Sequence, residues 1–179
     1  MPNQQPRVPS ARGNREFTTS PAAVVVFLID EHERLLLFKH PGRTLWEVVS
    51  GALEAGETVW EGALREVREE AGPDVLVEPL GALHTATFRF DDNNHYMLSL
   101  SLLMACRAGS VIPGDDMAGS EARWFTFDEL DDPDLPLLPP TDQPWLRRRA
   151  LALYRLWQAA PVPLAELQRP INFFGDVVR

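Results

Sequence analysis

Residues 51–73, GALEAGETVWEGALREVREEAGP, carry three glutamates spaced so that they crowd one another. On a helix advancing about 100° per residue, Glu66 and Glu70 lie about 40° apart and Glu69 falls about 60° to the other side of Glu66, so all three project from one edge. Like charges at such spacing repel by roughly 0.2–0.5 kcal/mol per pair, and something positive must offset them. Arg65 can do part of this, because Glu61 and Glu69 sit four residues to either side of it. One reading is a solvated face of i,i+4 ion pairs. The other is a cation: carboxylate oxygens are hard ligands suited to Mg²⁺ or Mn²⁺, which bind one or two carboxylates together with waters and the phosphate oxygens of a substrate. An ion held there can neutralise a diphosphate and acidify a water while a neighbouring carboxylate takes the proton.

The surrounding sequence says what must position these groups. Thr58 with Glu61 three residues on has the form of a capping box, and Gly72-Pro73 is a stop, so the spacing predicts a helix over 58–71. Trp60, Ala63, Leu64, Val67 and Ala71 share one arc, its buried face. Upstream, AAVVVFLID is short, β-branched and continuous like a buried strand, EHER turns the chain, LLLFKH is a second strand, and TLWEVVS is a third extended segment ending at Gly51. Downstream, VLVEPLGALHTATFRF and HYMLSLSLLMAC are long β-type segments joined by Asp-Asp-Asn-Asn, a hairpin composition. A loop, RAGSVIPGDDMAGSE, precedes the short strand ARWFTF. Residues 128–142, with six acids, no base and several prolines, read as an irregular connection that Arg147 to Arg149 can pair with. Trp145, Leu146, Leu151, Tyr154, Leu156 and Trp157 give 144–159 helical spacing. Strands, helix, strands, helix make an α/β layer arrangement with a mixed or antiparallel sheet.

Length and composition bound the rest. At 179 residues, 45% hydrophobic and 24% charged, the chain fits one globular domain, assigned to 21–160, between a polar tail at 1–20 and a C-terminal extension at 161–179. A net charge of −9 repels a phosphate backbone, so no nucleic-acid partner is expected, and a phosphorylated small molecule requires a mediating cation. The lone cysteine, Cys106, lies in an apolar run and reads as a buried thiol. No apolar run approaches the ~20 residues of a membrane span, and the expected setting is cytoplasmic, without a membrane partner.

Gly51, five residues, Glu57, seven residues, Arg65-Glu66, the apolar Val67, one residue, Glu69-Glu70, one residue and Gly72 together resemble the Nudix box, with Pro73 standing where that family usually has an aliphatic residue. Trp46-Glu47 before it, and Glu121 to Leu130 with Trp-Phe and Asp-Glu-Leu, extend the resemblance. It implies a Nudix-type α/β/α sandwich with a mixed central sheet. It also implies that Glu66, Glu69 and Glu70 ligate Mg²⁺ or Mn²⁺, that one of them doubles as base in a role that differs among relatives, and that the Ser50 carbonyl adds a ligand. Glu57 and Arg65 would brace the loop against the helix. A fourth acid would come from the loop before the late tryptophan, where Glu121, Asp116 and Asp115 are all candidates. The implied reaction is hydrolysis of a nucleoside diphosphate linked to another group.

Outside the box, no proline lies about sixteen residues beyond it, as the ADP-ribose group of the family would have, and no tyrosine marks a dinucleoside polyphosphate hydrolase; VVSGALEAGE is closer to members acting on nucleoside or pterin triphosphates. Phe88, Phe90 and Tyr96 can serve as core or as a stacking plane for a base, and Lys39, His40 and Arg43 as loop charges or phosphate contacts. His32, His40, His84 and His95 have no metal-ligand spacing. Two other functions stand beside the small-nucleotide hydrolase: a nucleotide-sensing module without turnover, and a prenyl-diphosphate isomerase, which lacks the cysteine expected near its site. Many relatives are homodimers, and Phe173 and Phe174 offer apolar side chains for a partner or for the chain's own core.

Overall fold

A computed structural model describes residues 7–9, 13–89, 96–160 and 163–167. The apolar run Ala22–Ile29 forms strand β3, following two short strands, β1 at Arg7–Pro9 and β2 at Glu16–Thr18, that pair with each other antiparallel inside the stretch expected to be a tail. The chain turns at 30–33, with Glu33 in the left-handed region, into β4 at Arg34–Lys39. Strand β5, Val49–Ala52, pairs antiparallel with the first half of β3. Long strands β6, Leu76–Phe88, and β7, Met97–Ala108, are antiparallel to each other, and β7 runs parallel to β3 along its whole length. The short strand β8, Glu121–Thr126, closes the far edge against β4. The order β6-β7-β3-β4-β8, with β5 beside β3, makes the sheet mixed, as expected. The Asp-Asp-Asn-Asn turn, Phe90, His95, Phe173 and Phe174 lie outside the described residues.

Strand β3 is apolar at every position because both faces of the sheet are covered. Val25, Phe27 and Ile29 point into one core with Leu37, Leu103, Phe125 and Tyr154, which comes from helix α3, Pro144–Gln158. Val24, Val26 and Leu28 point the other way, onto Ala63, Val67 and Ala71 of the helix that begins at Val59. Tyr154 is fully buried and its hydroxyl donates to the Asp30 carbonyl at 2.7 Å, pinning α3 to the end of β3. Cys106 is buried, and burial pushes its thiol above the usual range.

Within the expected domain, two helical elements differ from the sequence reading. The start of the stretch read as irregular, 128–130, joins Phe127 in a short helix, α2 at Phe127–Leu130, because Thr126 and Glu129 close a capping box. Beyond it the connection is coil, and Arg147 does pair with it, donating to Asp131 at 2.8 Å and to the Thr141 carbonyl at 2.9 Å. Farther on, a four-residue helix, α4, spans Leu164–Leu167. The second difference concerns the helix expected over 58–71: α1 spans Val59–Glu66, capped by Thr58 and Glu61 as predicted, and then widens into a π-helical turn at Val67–Ala71. Among the described residues no helix is long and apolar enough to cross a membrane.

Leu103 is fully buried in the centre of β7. Leu103→Ala should cost about 2–5 kcal/mol in urea denaturation with an unchanged m-value. A loss below about 1 kcal/mol would contradict the assignment of this residue to a close-packed core.

Candidate active site

The three glutamates lie where α1 passes into its π turn beside β5. Glu66 and Glu70 are buried, at 8% and 5% exposure, whereas the Glu69 side chain is about one-third exposed. Burying carboxylates is costly unless hydrogen bonds and opposite charge accompany them. Here the Ser50 amide donates to Glu70 Oε2 at 3.1 Å. One guanidinium nitrogen of Arg65 donates to both Glu66 Oε1 and Glu69 Oε2, each at 2.8 Å. The Arg65 Nε and its other nitrogen grip Glu57 at 2.7 and 3.1 Å, and the latter also reaches the Ala52 carbonyl at 3.0 Å. The brace between Glu57 and Arg65 is therefore present, and Arg65 also offsets the crowding that the spacing implies.

Glycines are required by close approach. A Cβ on Gly51 would fall 1.9 Å from Glu66 Oε1, so only glycine lets that carboxylate lie against β5. Gly62 faces Leu53 and Glu57 in the same way, with a Cβ 2.3 Å from Leu53 Cδ2. Gly72 ends the π turn at φ +111, a conformation that favours glycine.

The arginine also reshapes the acid–base behaviour. Its hydrogen bonds hold the Glu57 carboxyl below the usual carboxylate range, helped by the Glu54 amide, which donates at 2.9 Å. Glu57 in turn is the main cause that raises the Arg65 pKa, ahead of Glu66 and Glu69.

The candidate loop acids separate. Glu121 is tied across the β4–β8 pair to Lys39, whose Nζ lies 2.7 Å from its Oε2. Asp115 and Asp116 begin a 3₁₀ turn, Asp115–Met117, and this loop docks on the π turn: the Gly114 amide donates to the Glu70 carbonyl at 3.3 Å and the Ile112 amide to the Ala71 carbonyl at 2.9 Å. Asp115 is exposed with φ +48, a left-handed conformation uncommon for a non-glycine residue. The loop docking was not legible from sequence, because its bonds are made by backbone amides.

Of the other residues singled out, Lys39 also lies over the Trp46 ring at 4.6 Å, and His40 Nδ1 bonds the Pro41 carbonyl. Arg43 lies 3.2 Å from Glu47, a buried carboxylate that the sequence reading named only within the resemblance and gave no site role. Phe88 and Tyr96 are exposed near the far end of the β6–β7 pair.

The donor set fits a hard divalent cation, since it is all oxygen and Gly51 leaves Glu66 room beside Ser50. The enclosure is not preformed. Among the described residues no three His, Cys, Asp or Glu side chains converge on a point that could hold an ion, and Arg65 lies between Glu66 and Glu69 instead.

Comparison with known proteins identifies the family and the fold. Residues 19–149 match the family model described as NUDIX domain. The chain is 29% identical over 113 residues to an ADP-ribose pyrophosphatase of Methanocaldococcus jannaschii, covering 62% of this chain and 64% of that protein. It is 39% identical over 57 residues to the dihydroneopterin triphosphate diphosphatase of Escherichia coli, covering 32% of this chain and 38% of the relative. Less than two thirds of either relative's length is therefore spanned. The fold is similar to a solved NUDIX hydrolase from Nitrosomonas europaea, with a TM-score of 0.59, 19% identity, and coverage of 85% of this chain and 98% of that one.

Because folding depresses the Glu57 carboxyl, its contribution to stability is present above about pH 4.3, where an unperturbed glutamate titrates, and is lost as pH falls through the lower folded value. Chemical denaturation of the parent and Glu57→Gln should show a gap at neutral pH that closes in acid. A gap that stays constant on acidification would contradict the ion pair.

Proposed function

The chain belongs to the Nudix family, and on that premise we propose that it is a metal-dependent pyrophosphohydrolase acting on a nucleoside diphosphate linked to another group, with a nucleoside triphosphate or related small nucleotide as substrate. The observation that carries this reading is the gathering of Glu66, Glu69 and Glu70 around Arg65 and the Ser50 amide at one end of the helix. The partial likeness to a dihydroneopterin triphosphate diphosphatase supports a triphosphate.

Glu66, Glu69 and Glu70, with the Ser50 carbonyl, would hold Mg²⁺ or Mn²⁺, and a fourth acid would come from Glu121 or from Asp115 or Asp116 in the docked loop. A bound divalent cation supplies positive charge against the diphosphate and acidifies water beside it. The chain's own residues do the rest. Arg65 and Glu57 hold the loop after β5 against α1, so that Ser50 and Glu70 keep their register. A carboxylate of the set takes a proton from the attacking water, whose oxygen bonds to phosphorus as the bridging phosphoanhydride bond breaks. The Ser50 amide, by donating to one oxygen of Glu70, orients the other.

Release of phosphate or pyrophosphate from a panel of nucleotides with Mg²⁺ or Mn²⁺ tests this. At least one nucleotide should turn over, and Glu70→Gln should lower kcat by about 10²-fold or more. Equal turnover by parent and variant would contradict the role given to this edge. An intact nucleotide bound tightly with no product after long incubation would favour the sensing alternative.

A further inference from the structure

A groove opens on the α3 side of the sheet, between the segment 42–47 and the loop that ends at Thr141. Its outer part, about 320 Å³, is lined by Arg43, Leu45, Glu47 and Leu138. Its inner part, about 20 Å³, shares Glu47 and Leu138 and reaches Thr141 and Ser50, whose amide holds Glu70. Ser50 thus stands between the groove and the carboxylate edge. Trp46 fixes its wall, accepting at 2.8 Å from the Leu138 amide and donating at 2.8 Å to the Pro136 carbonyl.

Two polar groups inside it are unusual. Glu47 is 8% exposed, and its carboxylate meets the Arg43 guanidinium at 3.2 and 3.5 Å, from a side chain that is itself 62% exposed. Thr141 is 1% exposed, and its hydroxyl has no hydrogen-bond partner. A buried hydroxyl without a partner carries a desolvation cost that a ligand can relieve. The backbone around it is held firmly, since buried Arg147 donates to the Thr141 carbonyl.

We infer that this groove reads the base of the substrate and takes a ring that presents a carbonyl, a ring N–H and an exocyclic amine in a row, the edge shared by guanine and pterin. An ionised carboxylate only accepts, whereas a hydroxyl can donate. Thr141 would donate to the ring carbonyl, and Glu47 would accept from the ring N–H and the amine. Adenine offers the opposite order, an amine followed by a bare ring nitrogen. Uracil sets a second carbonyl against the carboxylate. The inner cavity has room for about one atom, the ring carbonyl oxygen that meets Thr141, and the outer one, also lined by Glu47, takes the body of the ring, with the Arg43 guanidinium placed to stack on its face. The ligand's role as substrate rests on the proposed hydrolase reading; the recognition chemistry rests on the groove.

Metal-free calorimetry of the full chain with GMP, IMP, AMP, UMP and neopterin tests the inference. GMP or neopterin should bind roughly ten-fold or more tightly than IMP, which lacks the exocyclic amine, and AMP and UMP should bind more weakly still. The GMP and neopterin arms tell a purine from a pterin. Glu47→Gln should erase the preference for GMP over IMP, and Thr141→Val should weaken both alike; melting curves report whether each variant folds, and Thr141→Val carries the test if Glu47→Gln does not. Equal binding of all ligands, which would mean that a resident water alone fills the inner cavity, overturns the inference. So does the absence of binding by both GMP and neopterin, or discrimination that survives Glu47→Gln. Discrimination without turnover of any nucleotide sinks the hydrolase reading and leaves this one standing, while turnover without discrimination does the reverse.

Discussion

The guanidinium of Arg65 joins parts of the chain that would otherwise drive one another apart. Five donors in a fixed planar fork reach Glu57 in the loop, the Ala52 carbonyl at the end of β5, Glu66 in the helix and Glu69 in the π turn. A lysine in its place would bring one point charge and could not span this set. Three glutamates on one helix edge are unfavourable by themselves, and the arginine makes that edge stable before any cation arrives. The same contact sets the depth of the loop, so the Ser50 amide lands on Glu70 rather than beside it.

The rest of the fold supplies a rigid frame for that contact. Helix α1 buries Ala63 and, through the π turn, Val67 and Ala71 against Val24, Val26 and Leu28, and α3 packs the opposite face. The candidate carboxylates therefore stand on an element that cannot slide without breaking the core on its side of the sheet. Loops come to it from two sides. The segment around Gly114 docks on the carbonyls of the π turn, and the Trp46 backbone holds the loop leading to Thr141.

Much of this was legible in the residues. Thr58 and Glu61 gave the start of the helix, the unbroken apolar run of β3 gave a strand covered on both faces, and the spacing of Gly51, Glu57, Arg65, Glu66, Glu69 and Glu70 gave residues that the fold brings into contact through Arg65 and β5. The π turn was not legible, because a 100° wheel assumes one helical geometry throughout and nothing in Val67–Ala71 signals a wider one. Nor was α2, since its capping box sits at the edge of a stretch dominated by prolines and acids. Glu47 and Thr141 were hidden for another reason. They lie 94 positions apart, and only the bridge between Trp46 and Leu137 brings their segments together. The resemblance put Glu121 among the candidate ligands, and the ion pair that cross-strand register gives it with Lys39 could be seen only in the folded chain.

Whether a crowded acidic edge is there to receive a doubly charged ion can be read without any substrate. Titrating Mn²⁺ into the protein and following the free ion by electron paramagnetic resonance should show saturable uptake by the parent. A protein with Glu66→Gln, Glu69→Gln and Glu70→Gln together should show none while still melting cooperatively. Equal uptake by the two proteins would mean that the ion binds elsewhere, and the catalytic account would fail.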